Sequence, residues 1–227
     1  MGTAQLMEKE FETNICEEMA SHGWIYDNDN TGWDIELAMY RPDVIAWLQS
    51  QYPDDYDNAV APELSGMPWK NAENKLLQRL SQEMNKTPII NRTSGAIAGG
   101  LLGVLRSGFS HAQMGRPSAK FGGMVAFQPS NPQIKGEIAR ASHNRLRVLR
   151  QVRFDTSSNE TIDLVLTVNG IPVVTMELKT DNTQTVHHAI AQYREDRKPN
   201  KKRTLLTPGR VLVHFAVSND EVHMTTV

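Results

Sequence analysis

The sequence predicts an α/β protein in which helices flank a central mixed β-sheet. Residues 146–154 alternate apolar side chains with arginine, as a half-buried strand does. Two apolar runs of strand character, 162–168 and 171–179, flank the dipeptide Asn169-Gly170, which is typical of hairpin turns. These two observations predict three consecutive strands in the C-terminal half of the chain.

A third observation makes the predicted sheet mixed. Residues 185–197 carry apolar side chains at helical spacing, and two further strands are predicted over 211–217 and 221–226. A basic loop, 197–203, separates this helix from the strands. A hairpin that leads into a helix and then into another strand implies a mixed sheet with helices packed on it.

The chain before residue 145 is predicted to be mainly helical. Apolar spacing and helix-ending residues predict helices over 5–22, 42–51, 68–85 and 134–143. The acidic, proline-bearing run 52–66 predicts a surface loop, and 120–128 a strand. The glycine-rich run 91–110 lacks Gly-Lys-Ser/Thr, so we interpret it as a connector with a short apolar helix and not as a phosphate-binding loop.

Composition predicts an ordinary soluble globular protein, and we expect one domain over 1–227. Hydrophobic residues make up 39% and charged residues 22% of the chain. Cys16 is the only cysteine, which excludes internal disulfides and cysteine-based zinc sites. The longest run of apolar and glycine residues, 96–105, is too short to cross a bilayer, and no signal peptide is visible. We therefore expect a cytoplasmic location without membrane contact.

The formal net charge of −2 conceals two oppositely charged parts. Residues 1–90 hold 16 acids and 6 lysines or arginines, whereas residues 91–227 hold 10 acids and 18 lysines or arginines. A basic part around a candidate site suits a nucleic-acid partner. Chance segregation of solvated charges explains the same numbers.

The hairpin register decides whether Asp163 and Glu177 lie on one face of the sheet. A two-residue turn at Asn169-Gly170 would place Asp163 opposite Met176, with Glu177 on the other face. A three-residue loop, 168–170, with Gly170 in a left-handed conformation would place Asp163 opposite Thr175 and diagonal to Glu177. It would also collect Ile162, Leu164, Leu166, Val174, Met176 and Leu178 on one apolar face. We therefore predict that register, or an equivalent one-residue bulge.

In that register Asp163, Glu177 and Lys179 form a candidate phosphodiester-cleaving site. Two carboxylates on neighbouring strands can share Mg²⁺, which polarises a phosphoryl oxygen and supplies a bound hydroxide. Lys179 projects from the same face and would orient the attacking water or neutralise developing charge. The simpler alternative is an exposed sheet edge with mixed charges.

Gln192 is the main supporting residue. It lies on the helix that follows the hairpin, with His188 and Asp196 four residues away on either side, and could hold water or a phosphate oxygen. A solvated glutamine is the alternative. Arginines in 145–153 and basic residues in 194–203 could contact phosphates, although many such charges are simply solvated.

The sequence as a whole resembles a known family. The runs RVLRQVRFDTSSNETIDLVLTVNGIPVVTMELKTDNTQTVHHAIAQYREDRKP and VLVHFAVSNDEVHMTT are similar to the N-terminal nuclease region of the R (motor and cleavage) subunit of type I restriction enzymes. FETNICEEMASHGW and LLGVLRSGF are similar to it as well. The resemblance implies a restriction-endonuclease-like PD-(D/E)xK fold, Mg²⁺-dependent cleavage of double-stranded DNA, and modification and specificity subunits as partners.

The resemblance also implies residue roles. Asp163 and Glu177 would be metal ligands, and Lys179 the catalytic lysine. Glu12 matches an acidic residue on the family's first helix and would act at the metal. Gln192 matches the glutamine of the family's Gln-x-x-x-Tyr motif, with a catalytic role, but Asp196 stands where that motif has tyrosine.

The family continues into an ATP-driven translocase, whereas this sequence ends at Val227 before any Walker motif. We therefore expect a fragment or a freestanding nuclease module, with ATP used only through the missing region. A non-catalytic docking module of nuclease fold, which binds DNA or the partner subunits, is the alternative function.

Overall fold

The structure is a computed structural model that describes residues 3–61, 63, 66–113, 115–180, 185–200 and 202–226. The helices are α1 (Thr3–Ser21), α2 (Arg41–Gln51), α3 (Pro53–Val60), α4 (Gly66–Met84), α5 (Gly100–Ser107), α6 (Lys135–Ala141) and α7 (Val186–Ala191). The strands are β1 (Trp33–Asp34), β2 (Met39–Tyr40), β3 (Ile89–Ile90), β4 (Ile97–Ala98), β5 (Phe109–His111), β6 (Ala119–Phe121), β7 (Leu146–Arg153), β8 (Thr161–Val168), β9 (Ile171–Leu178), β10 (Val213–Val217) and β11 (Val222–Thr225).

The chain forms two compact units. The first unit contains residues 1–40 and 145–227, and the second contains residues 41–144. The single domain expected over 1–227 stays a prediction. No helix among the described residues is long and apolar enough to cross a bilayer.

The first unit is built on a sheet with the strand order β11-β10-β9-β8-β7. β10 runs parallel to β9, and the other neighbours are antiparallel. The chain crosses from β9 to β10 through α7 and a π-helical turn, Gln192–Asp196. The predicted mixed sheet with helices is therefore confirmed at the level of a mixed α/β architecture.

Apolar side chains form clusters on this sheet that anchor α1 and the C-terminal loops. Cys16, Val148, Leu164, Leu166 and Leu178 pack together, with Phe11, Ile15 and Met19 of α1 against them. A second cluster contains Leu149, Val152, Phe154, Ile162 and Val165, together with Leu205, Leu206 and Val211. Burial of these apolar faces holds the unit together.

Ile162 packs away from the face that the sequence predicts for it. It lies in the cluster with Leu149 and Val165, and not with Leu164 and Leu166. The regular alternation of β7 is interrupted in the same place, because Gln151 has a positive φ of 51°. The prediction of one apolar face from Ile162 to Leu178 is therefore wrong at its first residue.

The hairpin β8–β9 has a two-residue turn. Val168 pairs with Ile171, and Asn169 and Gly170 have φ values of 49° and 78°. This left-handed pair is the conformation that favours asparagine and glycine in tight hairpins. The predicted three-residue loop is therefore wrong.

The equivalent one-residue bulge, which we predicted as the alternative, lies in β9. Thr167 pairs with Pro172, but Leu166 pairs with Val174, so Val173 is the extra residue. Beyond the bulge Leu164 pairs with Met176, and the next positions along the ladder are Asp163 and Glu177. The bulge therefore brings Asp163 and Glu177 to the same side of the hairpin, and both line one cavity.

The second unit corrects two predictions. The run predicted as a surface loop over 52–66 contains α3, which has Pro53 in its first turn and buries Tyr56, Ala59 and Val60. Those three residues follow helical spacing, a signal that the acidic composition of the run concealed. The strand predicted over 120–128 is limited to β6, and the glycine-rich connector carries the short hairpin β3–β4 before α5.

Candidate active site

A cavity of about 780 Å³ in the first unit collects the predicted site residues. Its lining comes from α1, from β7 to β9 and from the π-helical turn. The lining residues are Glu8, Lys9, Glu12, Asn28, Arg150, Gln151, Asn159, Glu160, Thr161, Asp163, Glu177, Lys179, Gln192, Asp196 and Arg197. Side chains far apart in sequence, from Glu12 to Gln192, thus line one cavity.

Asp163 accepts two hydrogen bonds that fix its carboxylate. The backbone N–H of Leu178 donates to Oδ2 at 2.7 Å. The Gln151 amide donates from Nε2 to Oδ1 at 3.1 Å. The first bond joins the Asp163 side chain on β8 to the backbone of β9, just beyond the last β8–β9 pair. Asp163 is therefore held against its neighbouring strand.

Glu177 is buried, with 1% of its surface exposed. Arg197 donates from Nε to its Oε1 at 2.9 Å. The pKa of Glu177 is raised to about 8, mainly by burial and next by the negative charge of Asp163, whereas Arg197 and Lys179 oppose the rise. The raised pKa indicates a buried carboxyl group close to a second negative charge, as expected where two acids converge on one position.

Lys179 is buried beside these acids. Its ammonium group lies 3.1 Å from Oε1 of Glu8, which is only partly exposed on α1. Its backbone N–H donates to Val217 of β10 at 2.9 Å. The lysine is therefore held at the end of the sheet by both its backbone and its side chain.

Glu12 enters the site from α1. It is 3% exposed and accepts hydrogen bonds from Arg150 Nε and from Gln151 Nε2. Burial is the main cause of its raised pKa, and the charge of Asp163 adds to the increase. Glu12 therefore points into the cavity, and its carboxylate lies near enough to Asp163 for the two charges to repel.

Gln192 begins the π-helical turn, and its Oε1 is buried without a hydrogen-bond donor among the described residues. In this turn the N–H of Arg197 bonds to the carbonyl of Gln192 at 2.8 Å, a spacing of five residues. His188 does not line the cavity; its Nδ1 lies 3.1 Å from the backbone N of Thr185 instead. We predicted that His188, Gln192 and Asp196 share one helical face, and this prediction is wrong for His188, which does not reach the cavity.

The residues fit a hard divalent cation by their donor chemistry. Carboxylate oxygens are the ligands that Mg²⁺ prefers, and Asp163 and Glu177 present two of them to one cavity. The unpartnered Gln192 oxygen adds a further neutral acceptor. Within the described ranges no three His, Cys, Asp or Glu side chains form a ready metal cluster. Water would complete such a site, as is usual for Mg²⁺.

Many of the arginines predicted to contact phosphates form ion pairs with acidic side chains of the same chain. Arg147 pairs with Asp27 at 2.6 Å and Arg203 with Asp155 at 2.6 Å. Arg150 is bonded to Glu12, and Arg197 to Glu177. Arg194, Lys198 and Lys202 are exposed and remain candidates for contact with a polyanion.

Sequence reasoning missed several residues of the site. Gln151 bridges two of the acids, Arg150 and Arg197 neutralise others, and Glu8 pairs with Lys179. Arg150 and Arg197 belong to the basic runs that the sequence analysis assigned to phosphates. Gln151 could have been found only from its position on β7 opposite Asp163. That position depends on the β7–β8 register, which the sequence does not provide.

The first unit is thus a mixed α/β structure with a cavity lined by several acids and by Lys9 and Lys179. Residues 128–227 match the family model of the type I restriction enzyme R protein N terminus, HSDR_N. The resemblance noted from the sequence is therefore supported over this C-terminal segment of the chain. The match contains Asp163, Glu177, Lys179 and Gln192, whereas Glu12 lies outside it. No curated protein matches the chain.

Proposed function

We propose that the chain is the Mg²⁺-dependent endodeoxyribonuclease domain of a type I restriction R subunit, with a PD-(D/E)xK fold. The observation that carries the proposal is the meeting of Asp163, Glu177 and Lys179 with Glu12 and Gln192 in one cavity. The family match over 128–227 supports the same class of enzyme. The substrate would be double-stranded DNA, and the partners the modification and specificity subunits.

In this proposal Asp163 and Glu177 hold the metal. Bound Mg²⁺ would supply Lewis-acid polarisation of a phosphoryl oxygen and a water of lowered pKa. Arg197 occupies Oε1 of Glu177, so its other oxygen is the one offered to the cation. Leu178 lies between Glu177 and Lys179, and its N–H keeps Asp163 turned toward the same position.

Lys179 and Gln192 would act on the substrate side. The Lys179 ammonium group would orient the attacking water or neutralise charge that develops on the phosphate. It must leave Glu8 to do so, and the partial exposure of Glu8 makes that exchange feasible. The free Gln192 oxygen would accept a hydrogen bond from the water, and Glu12 would act near the metal through its neighbour Asp163.

A nicking assay tests the proposal. Purified protein should convert supercoiled DNA to the open circle in the presence of Mg²⁺. Glu177→Gln and Lys179→Ala should each lower the rate by at least about 100-fold, the size expected for loss of a charged group at a reacting phosphate. Glu137→Gln and Lys135→Ala, exposed residues of α6, are matched controls that should leave the rate unchanged. Equal nicking by the two site variants and the wild type would contradict the proposal.

A non-catalytic docking module is the second candidate function. It is favoured by the internal pairing of the site, because Glu12, Glu177 and Lys179 each contact a charged side chain of the same chain. Under this alternative the wild type would bind DNA or the partner subunits without nicking above background. Glu177→Gln would then leave cleavage at that background.

A further inference from the structure

Gln151 is the residue on which two of the site's acids converge. Its Nε2 donates to Oε1 of Glu12 on α1 and, at 3.1 Å, to Oδ1 of Asp163 on β8. Its Oε1 accepts a hydrogen bond from Thr161 Oγ1 at 2.7 Å. One neutral amide therefore satisfies two carboxylates that repel each other, and a third contact fixes the orientation of the amide.

The backbone of Gln151 is strained. Its φ of 51° lies in the left-handed region, which is unfavourable for a residue with a side chain. No turn requires this conformation, because Gln151 lies inside β7 and both its neighbours pair with β8: Arg150 with Leu164, and Val152 with Ile162. A strained residue in the middle of a paired strand suggests a function for the strain.

The irregular backbone at Gln151 changes which side chains of β7 and β8 enter the core. Leu149 and Val152, three residues apart, pack in the same apolar cluster, together with Ile162 and Val165 of β8. Regular alternation would place residues three apart on opposite faces. The interruption lies at positions 151 and 163, and it leaves Gln151 and Asp163 to line the cavity.

We propose that Gln151 is a positioning residue of this site: its amide fixes the Glu12 and Asp163 carboxylates for a divalent cation, and its strained backbone aims it there. This inference rests on the proposed function and deepens it. Gln151 touches no reacting atom in this scheme. It acts through its hydrogen bond to Asp163, and a residue that orients a metal ligand in this way typically changes metal affinity by about 10–100-fold.

Two variants separate the amide from the backbone strain. Gln151→Ala and Gln151→Gly both remove the amide, so both should bind Mn²⁺, used as the probe cation, about 10–100-fold more weakly than the wild type in titration calorimetry. Only glycine accepts a positive φ without cost. Gln151→Gly should therefore melt about 2–4 °C above Gln151→Ala in metal-free buffer. Gln128→Ala, an exposed glutamine, should match the wild type in both measurements.

The outcomes distinguish this inference from the proposed function. Wild-type Mn²⁺ affinity in Gln151→Gly would overturn the positioning role while leaving the nuclease proposal intact. If Gln151→Ala fails to fold, Gln151→Gly still decides the point, because it removes the amide without strain. Absence of Mn²⁺ binding by the wild type would overturn both proposals. Equal melting temperatures of the two variants would overturn the role of strain.

Discussion

The two ends of the hairpin β8–β9 differ in their interactions: neutral hydrogen bonds hold the turn, whereas charged side chains meet at the other end. At the turn, Asn169 and Arg145 exchange hydrogen bonds, with the Asn169 N–H donating at 2.8 Å and its Oδ1 accepting at 2.7 Å. The carbonyl of Gly170 accepts from the backbone N–H of Tyr40 at 2.8 Å. At the other end, Asp163 and Glu177 converge in a buried, charged environment.

The difference shows where this hairpin gains and loses stability. At the turn, hydrogen bonds between backbone groups and one amide side chain pair the polar atoms. The left-handed backbone there is one that asparagine and glycine tolerate. The other end buries a carboxylate whose charged form is disfavoured, and it tolerates a strained Gln151. Functional sites commonly carry such local costs, which the remaining structure offsets.

Removal of Arg197 should have the largest effect on stability. It bonds to Glu177, donates from Nη2 to the carbonyl of Thr161 at 3.0 Å and lies over the ring of Phe154. Arg197→Ala should lower the free energy of unfolding by about 3–5 kcal/mol, because it removes one partner of a buried ion pair. Urea denaturation measures this, with exposed Arg194→Ala as the control.

A double variant makes the same test sharper. Adding Glu177→Gln to Arg197→Ala removes the unpaired charge, so much of the lost stability should return. No recovery in the double variant would mean that the packing of Arg197, and not its charge pairing with Glu177, matters at this end of the hairpin.

The pH dependence of stability should identify Glu177. Its pKa is raised from 4.5 to about 8 in the folded protein, so the folded state holds this proton more tightly than the unfolded state does. Between those pH values the contribution of Glu177 to stability should fall as pH rises, by up to about 1.4 kcal/mol per pH unit. Metal-free urea denaturation at several pH values measures the slope, and Glu177→Gln should flatten it. An equal slope in that variant would assign the titration elsewhere.

Asn169 should show the smallest effect of the three. Asn169→Ala loses the acceptor for the Arg145 N–H and places alanine at a φ of 49°, so we expect a loss of about 2 kcal/mol. Asn169→Gly keeps the left-handed backbone and should lose only about 1 kcal/mol. Thermal unfolding of both variants separates the stability lost with the hydrogen bond from the stability lost through the left-handed backbone conformation. Equal losses would show that the conformation carries no cost here.

The sequence predicted the mixed sheet, the hairpin and a one-residue irregularity that brings Asp163 and Glu177 to one side, because these follow from side-chain alternation and spacing. It placed the irregular residue at Gly170, whereas the structure places it at Val173. Both positions put the acids on one face, so alternation alone cannot choose between them. Ile162 and α3 were mispredicted because a strained residue and an acidic composition concealed the local pattern.

The roles of Gln151 and Arg197 could not be predicted from local sequence. Each depends on contacts between residues far apart along the chain, such as Gln151 with Glu12 and Arg197 with Glu177. A glutamine in a strand and an arginine in a basic run have many ordinary explanations. Only the three-dimensional register shows that these two residues belong to the site.

The π-helical turn also changes which residue lies one turn after Gln192. A π-turn is an α-helix with one residue inserted, so equivalent positions after the insertion are displaced by one. Counting four residues from Gln192 reaches Asp196, but the main-chain bond of the turn joins Gln192 to Arg197. Arg197, and not Asp196, is therefore the residue that the main chain places one turn after Gln192.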